Sequence, residues 1–443
     1  MKKIVLIILC FASLTSQAQK VFNAAKMDSL IHTLEEHDKA MGTLAISRNG
    51  QVIYNKAFGY RQISGKVKNE KDTKFRIGSI TKMFTATMIL QLIEEQKLTM
   101  ETKLGAYFPK LPNANEITIA QMLTHHSGLY NFTDGPYLEF HTKPKTQQEI
   151  LDIMATQTPE FKPGEKGAYS NTNFILLGYI LEKITGKSYE ENLKSRITGK
   201  LKLKNTYVGE KIDPKKNEAF SYSFNGLSWI VEDETDMSLP GGAGAIVSDN
   251  TDLLKFIEAL FAGKLISQNS LAQMTTIKDG YGMGIFQVPF YERKGFAHTG
   301  GIDGFSSSLA YFPAEKLSVA LLTNGLSYEL NNIMIGVLSI YFDKSYEIPE
   351  FKKSMQLSEN LLGRYEGVYA SKDFPLKITV TKESDHLNAQ ATGQGVFTLA
   401  CINEKEFRFD GAGIVMNFTI ENDGTVKEFF LEQMGMKYLF EKE

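Results

Sequence analysis

The chain holds a single Ser-x-x-Lys tetrad, Ser79-Ile80-Thr81-Lys82. On a helix, positions i and i+3 share a face, so the Lys82 amine can reach the Ser79 hydroxyl. A serine is a poor nucleophile until a neighbour takes its proton, and a lysine does so only when burial lowers its pKa. Ile77, Ile80, Met83 and Phe84 would supply that burial. Such a tetrad also occurs by chance on helix surfaces, so its company matters. Tyr169-Ser170-Asn171 follows Lys162-Pro163-Gly164 in a loop. A phenol beside an amine can shuttle protons, and an Asn can hold both the lysine and a substrate amide oxygen. His298-Thr299-Gly300 closes a strand-like run and leads into Gly301. A glycine there lets a substrate backbone lie along the strand, with the Gly301 N–H free to meet an oxyanion.

These residues need elements to position them. Met27 to Glu36 reads as an amphipathic helix, and Thr43–Arg48 and Gln51–Phe58 as strands joined at Asn49-Gly50, a type I′ turn signal. Ile80 to Leu98 is apolar for too long to be a strand, which predicts a buried helix. Phe174 to Ile184 is a second, capped by Gly186. Gly295–Thr299, Phe305–Phe312 and Leu317–Thr323 read as strands, and Asn332–Tyr341 as a helix. Strands at both ends with helices between them predict an α+β fold, an antiparallel sheet with helices packed on it and inserted within it. After a charged break at 348–357, six alternating runs between Tyr365 and Glu432, with turn signals at Asp410-Gly411 and Asp423-Gly424, predict a small antiparallel β-barrel or sandwich.

Length allows two or three domains, and a net charge of -2 gives no electrostatic reason to expect nucleic acid or an acidic membrane as partner. Met1-Lys2-Lys3 followed by apolar Ile4 to Ala12 has the layout of a secretory signal peptide, with cleavage placed after Ala18 and a periplasmic or secreted product. The apolar run falls short of the roughly 20 residues that span a bilayer. Lipidation at Cys10 is disfavoured by the bulky Leu9 before it. Of the two cysteines, only Cys401 remains in the mature chain, in an apolar run that predicts a packed core thiol.

In combination the three motifs resemble the penicillin-recognising serine hydrolases, in the branch that holds class C β-lactamases, D-alanyl-D-alanine carboxypeptidases and related esterases. Met122 to Leu129, Gly242-Ala243-Gly244 and Val247-Ser248 are similar to that family too, and the resemblance runs over about residues 25–340. It implies a β-lactamase/transpeptidase-like sheet flanked by helices. It also implies that Ser79 is acylated, that Lys82 and Tyr169 handle protons, and that Asn171 positions the substrate. The N–H groups of Ser79 and Gly301 would form the oxyanion hole, with His298 and Thr299 on the opposite wall. Where the β-lactamases of the branch usually have lysine this chain has His298, whose pKa of about 6.5 would give a weaker, pH-dependent pull on a substrate carboxylate. No metal or cofactor is implied.

The expected organisation is a signal peptide at 1–18, a serine hydrolase domain at 19–345, a linker at 346–357 and a barrel at 358–443. Adjacent His125 and His126 read as cleft supports rather than metal ligands, because no third ligand stands at zinc-like spacing. The single tryptophan, Trp229, reads as core packing or as a substrate platform. The substrate is a small molecule or peptide: a D-amino-acid peptide first, an ester of the carboxylesterase type second and a β-lactam third. A rival reading is a binding protein that keeps the cleft to sense cell-wall fragments or penicillins without releasing them. The expected role of the barrel is to shield or narrow the cleft, and the oligomeric state is left open.

Overall fold

Asn49 and Gly50 both take positive φ, 53° and 79°, and so close a tight hairpin between β1 (Ala40–Arg48) and β2 (Gln51–Phe58). The computed structural model describes residues 22–226, 228–383, 385–433 and 435–443, so the signal-peptide reading of residues 1–18 and the question of Cys10 lie outside the described residues. Four later strands continue the sheet: β3 (Phe286–Phe290), β4 (Arg293–Ile302), β5 (Phe305–Phe312) and β6 (Leu317–Leu326). Their order is β3-β4-β5-β6-β1-β2, with antiparallel neighbours, and the short hairpin of Tyr222–Phe224 and Trp229–Val231 adds to the end of β6 through a parallel pair, Gly325 with Tyr222. The first of these strands, β1, thus pairs with β6 across an insertion of more than two hundred residues, Ala45 facing Ala320.

Both faces of this sheet are covered, which is why β1 is buried almost from end to end. On one face, Leu30, Ile31 and Leu34 of α1 (Ala24–Glu36) and Ile333 and Val337 of α5 (Leu330–Tyr341) pack against Leu44, Ile46, Val319 and Leu321. On the other lies the larger core, built on α2 (Thr81–Glu94), α3 (Asn171–Thr185) and α4 (Asn250–Phe261). Every residue of α2 from Thr81 to Leu92 is buried, and Phe84 stacks on Phe256 of α4 with ring centroids 3.6 Å apart. Full burial of a side chain of that size is worth about 1.5–3 kcal/mol. Helix α2 is shorter than the apolar run suggests: it begins after a 3-10 turn at Gly78–Ile80, and ends before Leu98. Helix α3 ends where its glycine sits, with Gly186 left-handed and donating to the Glu182 carbonyl at 2.8 Å.

Residues 344–358 carry no helix or strand apart from the backbone bonds they make to their neighbours. Beyond them, among the described residues, eight antiparallel strands between Gly367 and Lys442 close into a barrel. The barrel is two strands richer than the alternating runs indicated: Phe397–Cys401 lines its interior through Leu399 and Cys401, and Met436–Lys442 closes the ring against Tyr369 and Ala370. Cys401 is a buried free thiol. The barrel is held to the sheet domain by an ion pair between Lys39 and Asp410, 2.6 Å long and mostly buried. Met355 of the connecting segment also donates its N–H to the Cys401 carbonyl at 2.7 Å.

Candidate active site

Ser79 sits in the 3-10 turn just before α2, and Lys82 follows one turn later with its side chain wholly buried. Lys82 Nζ lies 2.8 Å from Ser79 Oγ, 2.7 Å from Asn171 Oδ1 and 2.8 Å from the Ala243 carbonyl oxygen. None of these partners is a carboxylate, and burial holds the amine pKa well below its ordinary value. A neutral amine has two N–H bonds and one lone pair. In the neutral amine the two acceptor oxygens, Asn171 Oδ1 and Ala243 O, can take the N–H bonds and leave the lone pair for the serine hydroxyl.

The Ala243 carbonyl reaches the amine because Gly241–Gly244 runs hard against α3: a Cβ on Gly242 would stand 2.5 Å from the Phe174 carbonyl oxygen. Asn171, the first residue of α3, is itself fixed. Its N–H donates to Asn131 Oδ1 at 2.8 Å and its Nδ2 to Thr133 Oγ1 at 2.8 Å, so its carbonyl oxygen is the end that faces Lys82.

Tyr169 is the second group on Ser79 Oγ. Its hydroxyl donates to Ser79 Oγ at 2.7 Å, and its ring centroid lies 4.9 Å from Lys82 Nζ. Burial pushes the phenol pKa far up, which favours the protonated phenol near neutrality. His125 stacks on the Tyr169 ring, 4.5 Å between centroids, and its Nδ1 accepts the Ser170 N–H at 3.1 Å. His126 turns away to Asp279, 3.0 Å from Nε2. The two adjacent histidines thus serve different neighbours, and His125 braces the tyrosine.

The strand β4 brings the third motif alongside. Gly300 packs so tightly on the turn before Ser79 that a Cβ there would lie 2.0 Å from the Ile77 carbonyl oxygen. Gly301 comes next to Gly78 and has open space on its cleft side. Strand alternation leaves Thr299 and Gly301 exposed and turns His298 inward. This corrects the expectation for His298. It is 2% exposed, its Nδ1 faces the Thr299 carbonyl, and burial together with the nearby Lys82 holds its pKa down to about 3. It is neutral near pH 7 and offers no charge to a substrate carboxylate.

Ser79, Asn171 and Gly301 open onto a cleft of about 390 Å³. Its far wall was not foreseen from sequence. Glu232, Asp233, Thr235 and Asp303 line it, while among the described residues no lysine or arginine does. One acid of that wall is paired: buried Arg76 bonds Asp303 at 2.9 Å, and it also bonds Glu234 behind the wall at 3.1 Å. Among the described residues, Glu232 and Asp233 have no ion-pair partner. The run Glu232-Asp233-Glu234 was visible in the sequence, but only the packing of Arg76 separates its paired acid from the unpaired ones. The single tryptophan lies outside this cleft, with Trp229 Nε1 donating to Asp38 at 3.0 Å.

The family model described as Beta-lactamase matches residues 27–333, more than two thirds of the chain and the whole of the site. The chain belongs to the beta-lactamase family. Curated relatives of this family member include a penicillin-binding protein of Bacillus subtilis (strain 168), 27% identical over 439 residues, which covers 92% of this chain and 96% of that protein. A teichoic acid D-alanine hydrolase of Staphylococcus aureus is 30% identical over 228 residues, 51% of this chain and 55% of that protein. Among solved structures, the D-amino acid amidase of Ochrobactrum anthropi SV3 superposes with a TM-score of 0.63 at 27% identity, covering 72% of this chain and 99% of that one. The octameric penicillin-binding protein homologue of Pyrococcus abyssi, at 24% identity and TM-score 0.64, shares the fold over 94% of this beta-lactamase-family chain, barrel included.

Proposed function

We propose that this protein hydrolyses an amide or ester bond of a D-amino-acid derivative through an acyl-enzyme on Ser79. The observation that carries the reading is the double contact on one oxygen: Ser79 Oγ lies 2.8 Å from the Lys82 amine and 2.7 Å from the Tyr169 hydroxyl. Ser79 Oγ attacks the carbonyl carbon while its proton passes to the Lys82 lone pair. The carbonyl oxygen becomes an oxyanion, met by the N–H groups of Ser79 and Gly301. Collapse breaks the bond to the leaving nitrogen or oxygen, which takes the Lys82 proton relayed through the Tyr169 hydroxyl. Water then attacks the ester, gives a proton back to the same pair, and releases the acid with the Ser79 hydroxyl restored.

The charge of the cleft orders the substrates. A peptide of the D-alanyl-D-alanine type ends in a carboxylate, and in this cleft it meets unpaired Glu232 and Asp233, a neutral His298 and no lysine or arginine. An ammonium or an amide N–H fits the same wall. A D-aminoacyl amide or ester is therefore placed ahead of a carboxypeptidase substrate and of a β-lactam. The similarity to the D-amino acid amidase and to the teichoic acid D-alanine hydrolase above supports the same order. The basic-then-apolar start of the chain supports action outside the cytoplasm, and among the described residues no helix is long and apolar enough to cross a membrane.

The test is intact-mass detection of a covalent adduct with a fluorophosphonate, alongside turnover of D-alaninamide, a D-Ala-D-Ala peptide and nitrocefin. The wild type should label once and turn over the amide fastest, and Ser79→Ala should do neither. Retained turnover by Ser79→Ala sinks the serine assignment. A labelled enzyme that never releases its acyl group would favour a sensor over a hydrolase.

A further inference from the structure

A second cavity, of about 690 Å³, lies between the barrel and the sheet domain. Glu232 and Asp303 line both this cavity and the Ser79 cleft, so the two spaces meet at a shared wall. We propose that the cavity is the distal half of the substrate site, and that it takes the peptide chain attached to the amino nitrogen of the D-amino acid held at Ser79. The inference rests on the acyl-enzyme reading above and extends it.

The cavity is built rather than left over. Its floor is the run Tyr222–Gly226, the first strand and turn of a hairpin, and its roof is the barrel segment Val396–Thr398 together with Arg408–Gly411. The two bodies touch on both sides of the cavity. Lys39 and Asp410 are joined at 2.6 Å, and a Cβ on Gly226 would already stand 3.3 Å from Thr398. The dividing wall is stiffened in turn: Asp303 takes Arg76 at 2.9 Å and the Thr235 hydroxyl at 2.6 Å. The volume falls within the range of specific ligand sites, and such sites combine an apolar lining with a few placed polar groups. Here the apolar part is Phe397 stacked on Phe409, centroids 4.8 Å apart, beside a Val396 that is 60% exposed.

Glu232 stands at the junction with its carboxylate free of any ion-pair partner among the described residues. It can accept the terminal ammonium of a short substrate or the backbone N–H of a longer one, so it suits a chain that continues past it. Beyond it, Val396 and the Phe397–Phe409 pair offer a surface to an apolar side chain. This gives the barrel a role in selection: it lengthens the site by the span of a few residues.

The experiment is a series of D-alanine p-nitroanilides carrying no, one, two or three further residues on the amino nitrogen, with an apolar residue at the far end. The full chain is assayed, as wild type and as Val396→Trp, which fills the cavity from an exposed position. The expected result is a rise in kcat/KM of tenfold or more with length, and a loss in Val396→Trp that grows with the length of the substrate. A flat series, or a loss that is equal for short and long members, overturns the proposal. Turnover of the shortest member reports separately on Ser79 chemistry. Should none of the series turn over, calorimetric binding of the longest member to Ser79→Ala, with and without Val396→Trp, still decides the cavity. Equal affinity in the two overturns it.

Discussion

Asn171 Oδ1 lies 2.7 Å from Lys82 Nζ, and the same side chain is pinned at its other end by Thr133. One amide therefore fixes where the amine hydrogen points, and leaves the lone pair for Ser79. Asn171→Ala removes that orientation without touching the nucleophile. Proton transfer by a positioned group contributes about 10²–10⁴ in rate. The acylation rate, read as the time course of fluorophosphonate labelling, should fall by about 10² or more, with the circular dichroism spectrum unchanged. Asn171→Asp should be worse near neutrality, because a carboxylate at that distance keeps the lysine protonated.

The pH profile follows from two opposite shifts. Lys82 must be neutral to accept a proton, and its pKa lies well below 10.5, so kcat/KM rises with pH through that lowered value and is at its plateau far earlier than an ordinary lysine would allow. Tyr169 is shifted upward, so the phenol keeps its proton and no descending limb appears at the ordinary tyrosine value of 10.0. A profile that falls as pH passes 10, with the fold intact, would contradict the protonated role of Tyr169.

His298 gives a stability test. Its folded pKa of about 3 lies below the ordinary 6.5, so between these values the unfolded chain binds a proton that the folded chain does not. Stability is lost as pH falls through that window. His298→Asn removes the titration, and its melting temperature should decline less between pH 6.5 and pH 4 than that of the wild type. Its kcat/KM should show no added step near pH 6.5.

Two neighbouring glycines should respond differently to alanine. At Gly300 the new Cβ meets the Ile77 carbonyl oxygen at 2.0 Å, and overpacking of this kind costs about 1–3 kcal/mol and displaces the turn that carries Ser79. At Gly301 nothing stands within 4 Å, so the fold should keep its melting temperature. Thermal denaturation of the two variants side by side checks the contrast.

In the core, Phe84→Ala deletes a ring stacked at 3.6 Å on Phe256, and aromatic deletions of this kind cost about 3–5 kcal/mol. Chemical denaturation should show a lower midpoint. Labelling of Ser79 should weaken in step, because α2 carries both Ser79's neighbour Lys82 and that ring.

Much of this was legible in the sequence because it is local. The Asn49-Gly50 hairpin, the buried helices and the Gly186 cap each follow from a few adjacent residues. The strand Phe286–Phe290 was missed because Pro289 interrupts its pattern, and proline is tolerated there only because the strand lies at the sheet edge. Phe397–Cys401 was read as an apolar run rather than a strand, since neither its partners nor its place in a ring is encoded nearby. The same limit governed the site. Ser79, Lys82, Tyr169 and Asn171 announced themselves by motif. The inward turn of His298, the Ala243 carbonyl on the amine and the pairing of Arg76 with Asp303 depend on contacts between residues far apart in the chain.

The closed barrel has a consequence for how this protein meets other copies of itself. An open sheet leaves a row of unpaired backbone groups on which another chain can be templated, whereas a ring has no such row. Pairing of Tyr369 with Lys442 seals the C-terminal strands, and at the two outer margins of the main sheet one strand carries Pro289 and the other the charged Lys56. Edge-to-edge pairing between copies is thereby discouraged at the barrel and at these two margins of the main sheet.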